Sequence, residues 1–219
     1  DSLKYNSFNN QGVLGIINMP SARFYDESSY GITGFYGTPD QKITFTSYAF
    51  DWLEASFFYS KIQDKPYCSI ETDPVCKQSY KDKGFNFKVR LREEDSWPAI
   101  ALGINDIAGT GLYGSEYIVA SYGINRTDFH LGIGWGNLNG SKERFKNPLG
   151  SIYEGFYERD DSNDLGGQFQ PSKYFSGETA SPFFGITHAS RGKFIYKLEY
   201  DSTLTPGLIG CLLYTSDAA

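Results

Sequence analysis

The chain has 219 residues and a formal net charge of -6, with a sequence pI near 5.0. This acidic balance excludes a general nucleic-acid binder, because no basic stripe is available to neutralise phosphates. No run of about 18 apolar residues exists, which excludes a membrane-spanning helix. A mean hydropathy of -0.42 with 17% aromatic residues is nevertheless typical of transmembrane β-barrels, in which only alternate residues face lipid.

Alternating hydrophobicity and turn residues together predict about ten strands. In chain order they are expected at residues 12–18, 29–37, 41–50, 52–62, 84–92, 97–106, 114–124, 127–136, 182–189 and 193–202. Their lengths match the roughly 9 to 11 residues that a tilted strand needs to cross a bilayer. Residues 50–52 and 125–126 are expected to form tight hairpins, whereas residues 63–83 and 137–181 form long polar connections. Short turns at one rim and long loops at the other are typical of barrels.

The predicted strand 84–92 alternates strictly between an apolar and a charged face. Its odd positions from 85 to 91 are apolar, and its even positions from 86 to 92 are polar. The segments 128–135 and 193–201 repeat this division. The pattern predicts an all-β fold: an antiparallel transmembrane β-barrel, or the N-terminal part of one. The residues expected to face its lumen and to bind there are Lys88, Arg90, Arg92, Glu116, Lys197, Glu199 and Asp201.

The three cysteines divide into a pair and a single residue. Cys68 and Cys76 bracket a polar, turn-rich stretch, which predicts a small loop disulfide in an oxidising compartment; two free thiols remain the alternative. Cys211 opens a tail, residues 211–219, that breaks the preceding pattern and resembles translated sequencing adapter. We therefore expect a partial outer-membrane β-barrel domain over residues 1–210 and a non-native tail after it.

Motifs that would carry catalysis or a cofactor are weak. The string from Gly109 to Gly114 matches the dinucleotide-binding fingerprint in its letters, but a strand-like sequence follows it where the fingerprint requires a helix. We interpret it as a glycine-rich turn. His130 and His188 lie in predicted strands, and no nucleophile elbow is present. We expect no cofactor, no metal and no enzymatic activity.

Several segments resemble the YjbH family of outer-membrane exopolysaccharide-biosynthesis proteins. The first, residues 12–23, carries a glycine, an Asn-x-Pro, and a Ser-Ala-Arg. The other matching segments are residues 85–91, 98–106, 109–111, 115–121, 131–136, 182–185 and 197–201. The resemblance covers roughly residues 12–205. Family members are much longer, so the resemblance implies that the chain is a fragment.

This resemblance implies an exported protein in the outer membrane of a Gram-negative bacterium that assists exopolysaccharide production or export. The partners it implies are outer-membrane lipid, the polysaccharide and polysaccharide-export proteins, and nucleic acid is not among them. The family supplies no catalytic residues to carry over. Two alternatives stay open at this point: a passive porin-like channel for small solutes, and a soluble secreted β-sandwich that binds carbohydrate.

Overall fold

The protein is almost entirely one antiparallel sheet. The computed structural model describes residues 6–37, 40–67, 78–159, 171–191 and 194–204. The ten strands are β1 (Ser29–Tyr36), β2 (Asp40–Phe50), β3 (Leu53–Pro66), β4 (Ser79–Arg92), β5 (Ala99–Ile107), β6 (Ser115–Ile124), β7 (Thr127–Gly136), β8 (Phe145–Lys146), β9 (Thr179–Ala189) and β10 (Ile195–Tyr200). Three short 3-10 helices lie at Pro148–Ser151, Glu154–Tyr157 and Pro171–Lys173.

The strands follow one another in space almost as they do in sequence. The order is β1-β2-β3-β4-β5-β6-β7-β9-β10, every neighbouring pair is antiparallel, and the short β8 pairs with β9 away from this path. Within the described residues β1 and β10 do not pair, so the sheet is open. The all-β, antiparallel prediction is confirmed, while closure into a barrel is not shown.

Nine of the ten predicted strands coincide with observed ones, and the remaining prediction, the first in the chain, is wrong. Residues 12–18 do not join the sheet; they lie in a loop with only two isolated bridges, Phe8 with Leu14 and Gly15 with Pro20. The physical reason is that side chains of the sheet, rather than a neighbouring strand, bind this backbone. Sequence reasoning also missed the two-residue β8.

The connections divide between the two rims as predicted, but β3 continues to Pro66 and β4 begins at Ser79, so both ends of the predicted 63–83 loop are strand. Tight turns at residues 51–52 and 125–126 lie at one rim, which we call the short-turn rim. The β3–β4, β5–β6 and β7–β9 connections begin and end at the other, which we call the long-loop rim. The glycine-rich string from Gly109 to Gly114 forms the β5–β6 turn, as expected. Cys68, Cys76 and residues 211–219 lie outside the described residues.

On most strands the two faces of the sheet are inverted relative to those of a water-soluble protein. Antiparallel sheets in soluble proteins bury their apolar face and expose their polar one. Here apolar side chains in mid-strand are exposed, with Ile43 at 63%, Leu131 at 63% and Leu198 at 64% of their surface. The alternate positions carry buried polar side chains such as Lys42 and Lys88. We call these the outer face and the inner face.

Residues 6–25, which we call the N-terminal segment, lie against the inner face. Leu14, Ile16 and Met19 of this segment are fully buried, and they form one core with inward side chains of β5, β6 and β9. The backbone of β5 lies against an inward side chain of β6 at Gly103, where a Cβ would lie 2.2 Å from the ring of Tyr117. The segment contacts both ends of the sheet, since Phe8 packs on β1 and Asn18 reaches β10. The sheet therefore curls around it.

No helix within the described ranges is long and apolar enough to cross a membrane.

Candidate functional site: the inner face and the N-terminal segment

A buried ion pair lies at the centre of the inner face. Lys88 Nζ of β4 is 3.0 Å from Glu54 Oε2 of β3, and each side chain is only 1% exposed. The same Glu54 oxygen accepts hydrogen bonds from the Tyr48 hydroxyl (2.5 Å) and the Leu14 backbone N–H (3.2 Å). Lys88 donates to the Leu14 carbonyl (3.3 Å). The pair therefore binds both polar backbone groups of one residue of the N-terminal segment.

Strand β10 holds the next part of the segment in the same manner. The carboxylate of Glu199 accepts hydrogen bonds from the backbone N–H groups of Ile17, Asn18 and Met19, at 2.9, 2.8 and 3.2 Å. Lys197 donates to the Ile16 carbonyl at 2.6 Å and also to the Ser7 hydroxyl. These contacts supply donors and acceptors that a neighbouring strand supplies elsewhere, which explains why residues 12–18 need no strand pairing.

The end of the segment is fixed by a buried arginine. The Arg23 guanidinium binds Asp128 of β7 through Nε at 2.8 Å and Nη2 at 2.5 Å, and Nη2 also lies 2.5 Å from Glu94 Oε2. Two-point binding of a carboxylate by arginine fixes orientation as well as distance. Nearby, Ser121 accepts the Ala22 backbone N–H at 2.9 Å.

Ser121 also contacts a histidine, which raises the question of a nucleophile. Its Oγ is 2.8 Å from His130 Nδ1. Both side chains are buried, and the Ser121 oxygen is engaged by the Ala22 N–H. The contact as it stands holds the N-terminal segment, and we assign it no catalytic role.

A second polar cluster lies on the inner face nearer the long-loop rim. Lys42 Nζ is 3.6 Å from the centre of the Tyr113 ring and 3.9 Å from Asp40 Oδ2, and it donates to the Gln11 side chain. The Tyr113 hydroxyl contacts Asp40 at 2.8 Å and Ser60 at 2.7 Å. Burial raises the pKa of this hydroxyl well above its usual value, so Tyr113 stays a neutral hydrogen-bonding group.

The seven residues predicted to face the lumen separate into three locations. Lys88, Lys197 and Glu199 lie on the inner face and bind the N-terminal segment, and Asp201 accepts from the Asn18 side chain at 2.6 Å. Arg90 and Arg92 lie at the short-turn rim, where they pair with Glu93 (2.6 Å) and Asp95 (3.1 Å).

Glu116 differs from the other six, because the structure places it on the outer face. Its β6 neighbours Tyr117 and Ser121 point inward, so Glu116 has the opposite parity and lies beside Trp135 of β7. It is nevertheless buried, since Arg159 of the β7–β9 connection covers it with two hydrogen bonds of 2.8 and 3.0 Å. The expectation that Glu116 faces the lumen is thus not met in this part of the sheet.

Sequence reasoning missed several side chains that organise the interior, notably Arg23, Glu54 and Asp128. The Arg23 signal was present in the Ser-Ala-Arg motif, and Glu54 and Asp128 stand at polar positions of alternating strands. Arg23 and Asp128 are 105 positions apart in the sequence, so no local pattern connects them. Among the described residues, no group of three or more His, Cys, Asp or Glu side chains is arranged to hold a metal ion.

Comparison with known proteins agrees with the motifs. The family model described as "Exopolysaccharide biosynthesis protein YbjH" matches residues 7–204. The "Uncharacterized lipoprotein YjbH" of Escherichia coli (strain K12) is 37% identical over 194 residues, which are 87% of this chain and 27% of the relative. The chain thus spans little more than a quarter of the relative's length. No solved structure matches the chain significantly. The match over the whole of the described sheet confirms the resemblance, and the chain belongs to the YjbH family.

Proposed function

We propose that this chain forms part of an outer-membrane β-barrel protein that assists exopolysaccharide production or export without catalysing a reaction. The observation that carries the membrane part of the proposal is the inversion of the two faces. The family description supports the link to exopolysaccharide. The lipoprotein named for the E. coli relative supports a place in the cell envelope.

Exposed apolar side chains cover much of the outer face of the sheet. They occur on the first four strands and again on β7, β9 and β10, and examples are Ile32, Phe45, Phe87, Leu131 and Leu198. Soluble monomers rarely expose contiguous apolar patches larger than a few hundred Å². A lipid bilayer removes this surface from water, whereas a soluble β-sandwich needs a second sheet to cover it. The described strands of the main path form a single sheet, which favours lipid over the sandwich.

The occupied interior also favours the proposed role in exopolysaccharide production or export over that of a passive porin. The N-terminal segment occupies the inner face, and charged side chains of β3, β4, β7 and β10 bind it directly. A passive porin requires an open aqueous path along that face. In our proposal the full-length protein instead presents polar rims and loops to the polysaccharide and to export partners.

Membrane insertion is testable with two matched substitutions of exposed apolar residues by arginine. Leu131 lies in the middle of β7 on the outer face and is 63% exposed; Ile152 lies in the β7–β9 connection and is 82% exposed. An arginine near the bilayer midplane costs about 2–4 kcal/mol, but one in a loop costs little. Leu131→Arg is therefore expected to reduce insertion of the full-length protein into lipid vesicles, and Ile152→Arg is not.

The role in exopolysaccharide is tested in cells with the same pair. Leu131→Arg is expected to lower secreted polysaccharide together with the amount of inserted protein, and Ile152→Arg to leave both unchanged. Equal insertion of the two variants would contradict the membrane proposal. Normal polysaccharide output with altered small-solute permeability would instead favour a porin.

A further inference from the structure

A polar cleft lies at the long-loop rim, outside the contacts that hold the N-terminal segment. Its volume is about 590 Å³, and it opens to solvent. Ligand sites in proteins usually measure roughly 300–1,000 Å³. Its walls include Tyr80 at the start of β4, Asn137 after β7, and Arg144, Arg159 and Ser176 of the β7–β9 connection. The cleft is therefore large enough for one or two sugar rings.

The charge of this cleft is opposite to that of the chain. The protein has 26 acidic and 20 basic residues, yet the described residues lining the cleft include two arginines and no carboxylate. Arg159 forms an ion pair with the buried Glu116 at 2.8 Å, which neutralises its charge. Arg144 is exposed, and among the described residues its guanidinium is engaged only through Nε, by the Ser141 carbonyl at 3.1 Å. Its Nη groups have no acidic partner within the described residues. A guanidinium in this state offers two parallel donors to a carboxylate.

The backbone of the cleft is shaped to admit these groups. Gly136 has a φ of +61°, and a Cβ there would lie 2.7 Å from Arg159 Nη2, so glycine allows the guanidinium to lie against the chain. The side-chain amide of the adjacent Asn137 forms no hydrogen bond with another described residue. It supplies one donor and one acceptor side to a bound molecule. The ring of Tyr80 adds an apolar wall against which a sugar ring can pack.

We propose that this cleft binds a carboxylate-bearing saccharide, with Arg144 pairing with the carboxylate and Asn137 binding a hydroxyl group. The choice of a saccharide, rather than another carboxylate, rests on the proposed function in exopolysaccharide production or export. We do not assign the carboxylate to Arg159, because both of its Nη groups already bond to Glu116.

The test is a titration of the full-length protein in detergent with an oligogalacturonate, compared with a neutral malto-oligosaccharide of equal length. Arg144→Gln removes the guanidinium of the cleft that has no acidic partner among the described residues. Arg191→Gln is the matched control, because Arg191 is an exposed arginine in the β9–β10 turn at the opposite, short-turn rim. Losing a charge-assisted pair is expected to raise Kd for the oligogalacturonate about ten-fold or more for Arg144→Gln. The control is expected to bind as the unmodified protein does, and rising salt is expected to weaken binding.

Three results would overturn the proposal: no binding of oligogalacturonate, equal affinity for the neutral sugar, or equal loss in both variants. Vesicle insertion of the same variants separates this outcome from that of the proposed function. Normal insertion without sugar binding would reject the cleft alone, whereas failure of the unmodified protein to insert would reject the membrane proposal and leave the sugar titration to stand by itself.

Discussion

The ion pair between Lys88 and Glu54 gives the sharpest test of how the interior is held together. Lys88→Met keeps the length and apolar stem of the side chain but removes its charge. Glu54 would then remain 1% exposed with a negative charge and no cation, although it keeps the hydrogen bonds from Tyr48 and Leu14. Breaking a buried pair from one side costs about 3–5 kcal/mol.

Removing both charges is expected to cost less than the sum of the two single changes. Replacement of a buried pair by apolar residues of similar size is often nearly neutral, because two desolvation penalties disappear together. In the Lys88→Met/Glu54→Leu variant, the Leu14 N–H and the Tyr48 hydroxyl lose their acceptor, which costs about 1–3 kcal/mol each when they stay buried. We expect an interaction energy of about 2–3 kcal/mol between the two sites.

The assay is a double-mutant cycle on the free energy of unfolding, measured by urea titration of the protein in lipid vesicles with tryptophan fluorescence. Trypsin accessibility of Arg23, at the end of the N-terminal segment, provides an independent readout. Both single variants are expected to expose Arg23 to cleavage sooner. Additivity within about 0.5 kcal/mol would refute the direct pairing, because independent sites add to within that margin.

Three further predictions concern other contacts. Glu199→Gln keeps only one of the two side-chain oxygens that together accept three backbone N–H groups, so the N-terminal segment is expected to exchange amide hydrogens faster, with a loss of about 1–3 kcal/mol in protection; unchanged exchange would contradict this role. Glu116→Gln is expected to release Arg159 and increase protease cleavage in the β7–β9 connection, whereas an unchanged cleavage rate would show that other contacts hold it. Cys68 and Cys76 are expected to be disulfide-linked in the exported protein, and recovery of two free thiols by mass spectrometry of the unreduced protein would reject the pairing.

The local period of two determined most of what the sequence could predict. Side chains of a strand alternate between faces by covalent geometry, so the apolar odd and polar even positions of β4 could be predicted from residues 84–92, although the strand begins five residues earlier, at Ser79. The tight turns at 51–52 and 125–126 and the glycine-rich β5–β6 turn were equally local, because turn residues act through their own backbone.

Only the tertiary structure decided what fills the inner face. Residues 12–18 carry a strand-like pattern, yet their backbone is satisfied by Glu54, Lys88 and Glu199 from distant strands. Strand β6 has apolar residues on both faces, so charge alone suggested an inward Glu116, whereas inward Tyr117 packs on the N-terminal segment and forces Glu116 outward. Local sequence determines how side chains alternate within a strand. Residues far apart in sequence determine which side of the strand faces the interior, because contact energies depend on distances that only the folded chain defines.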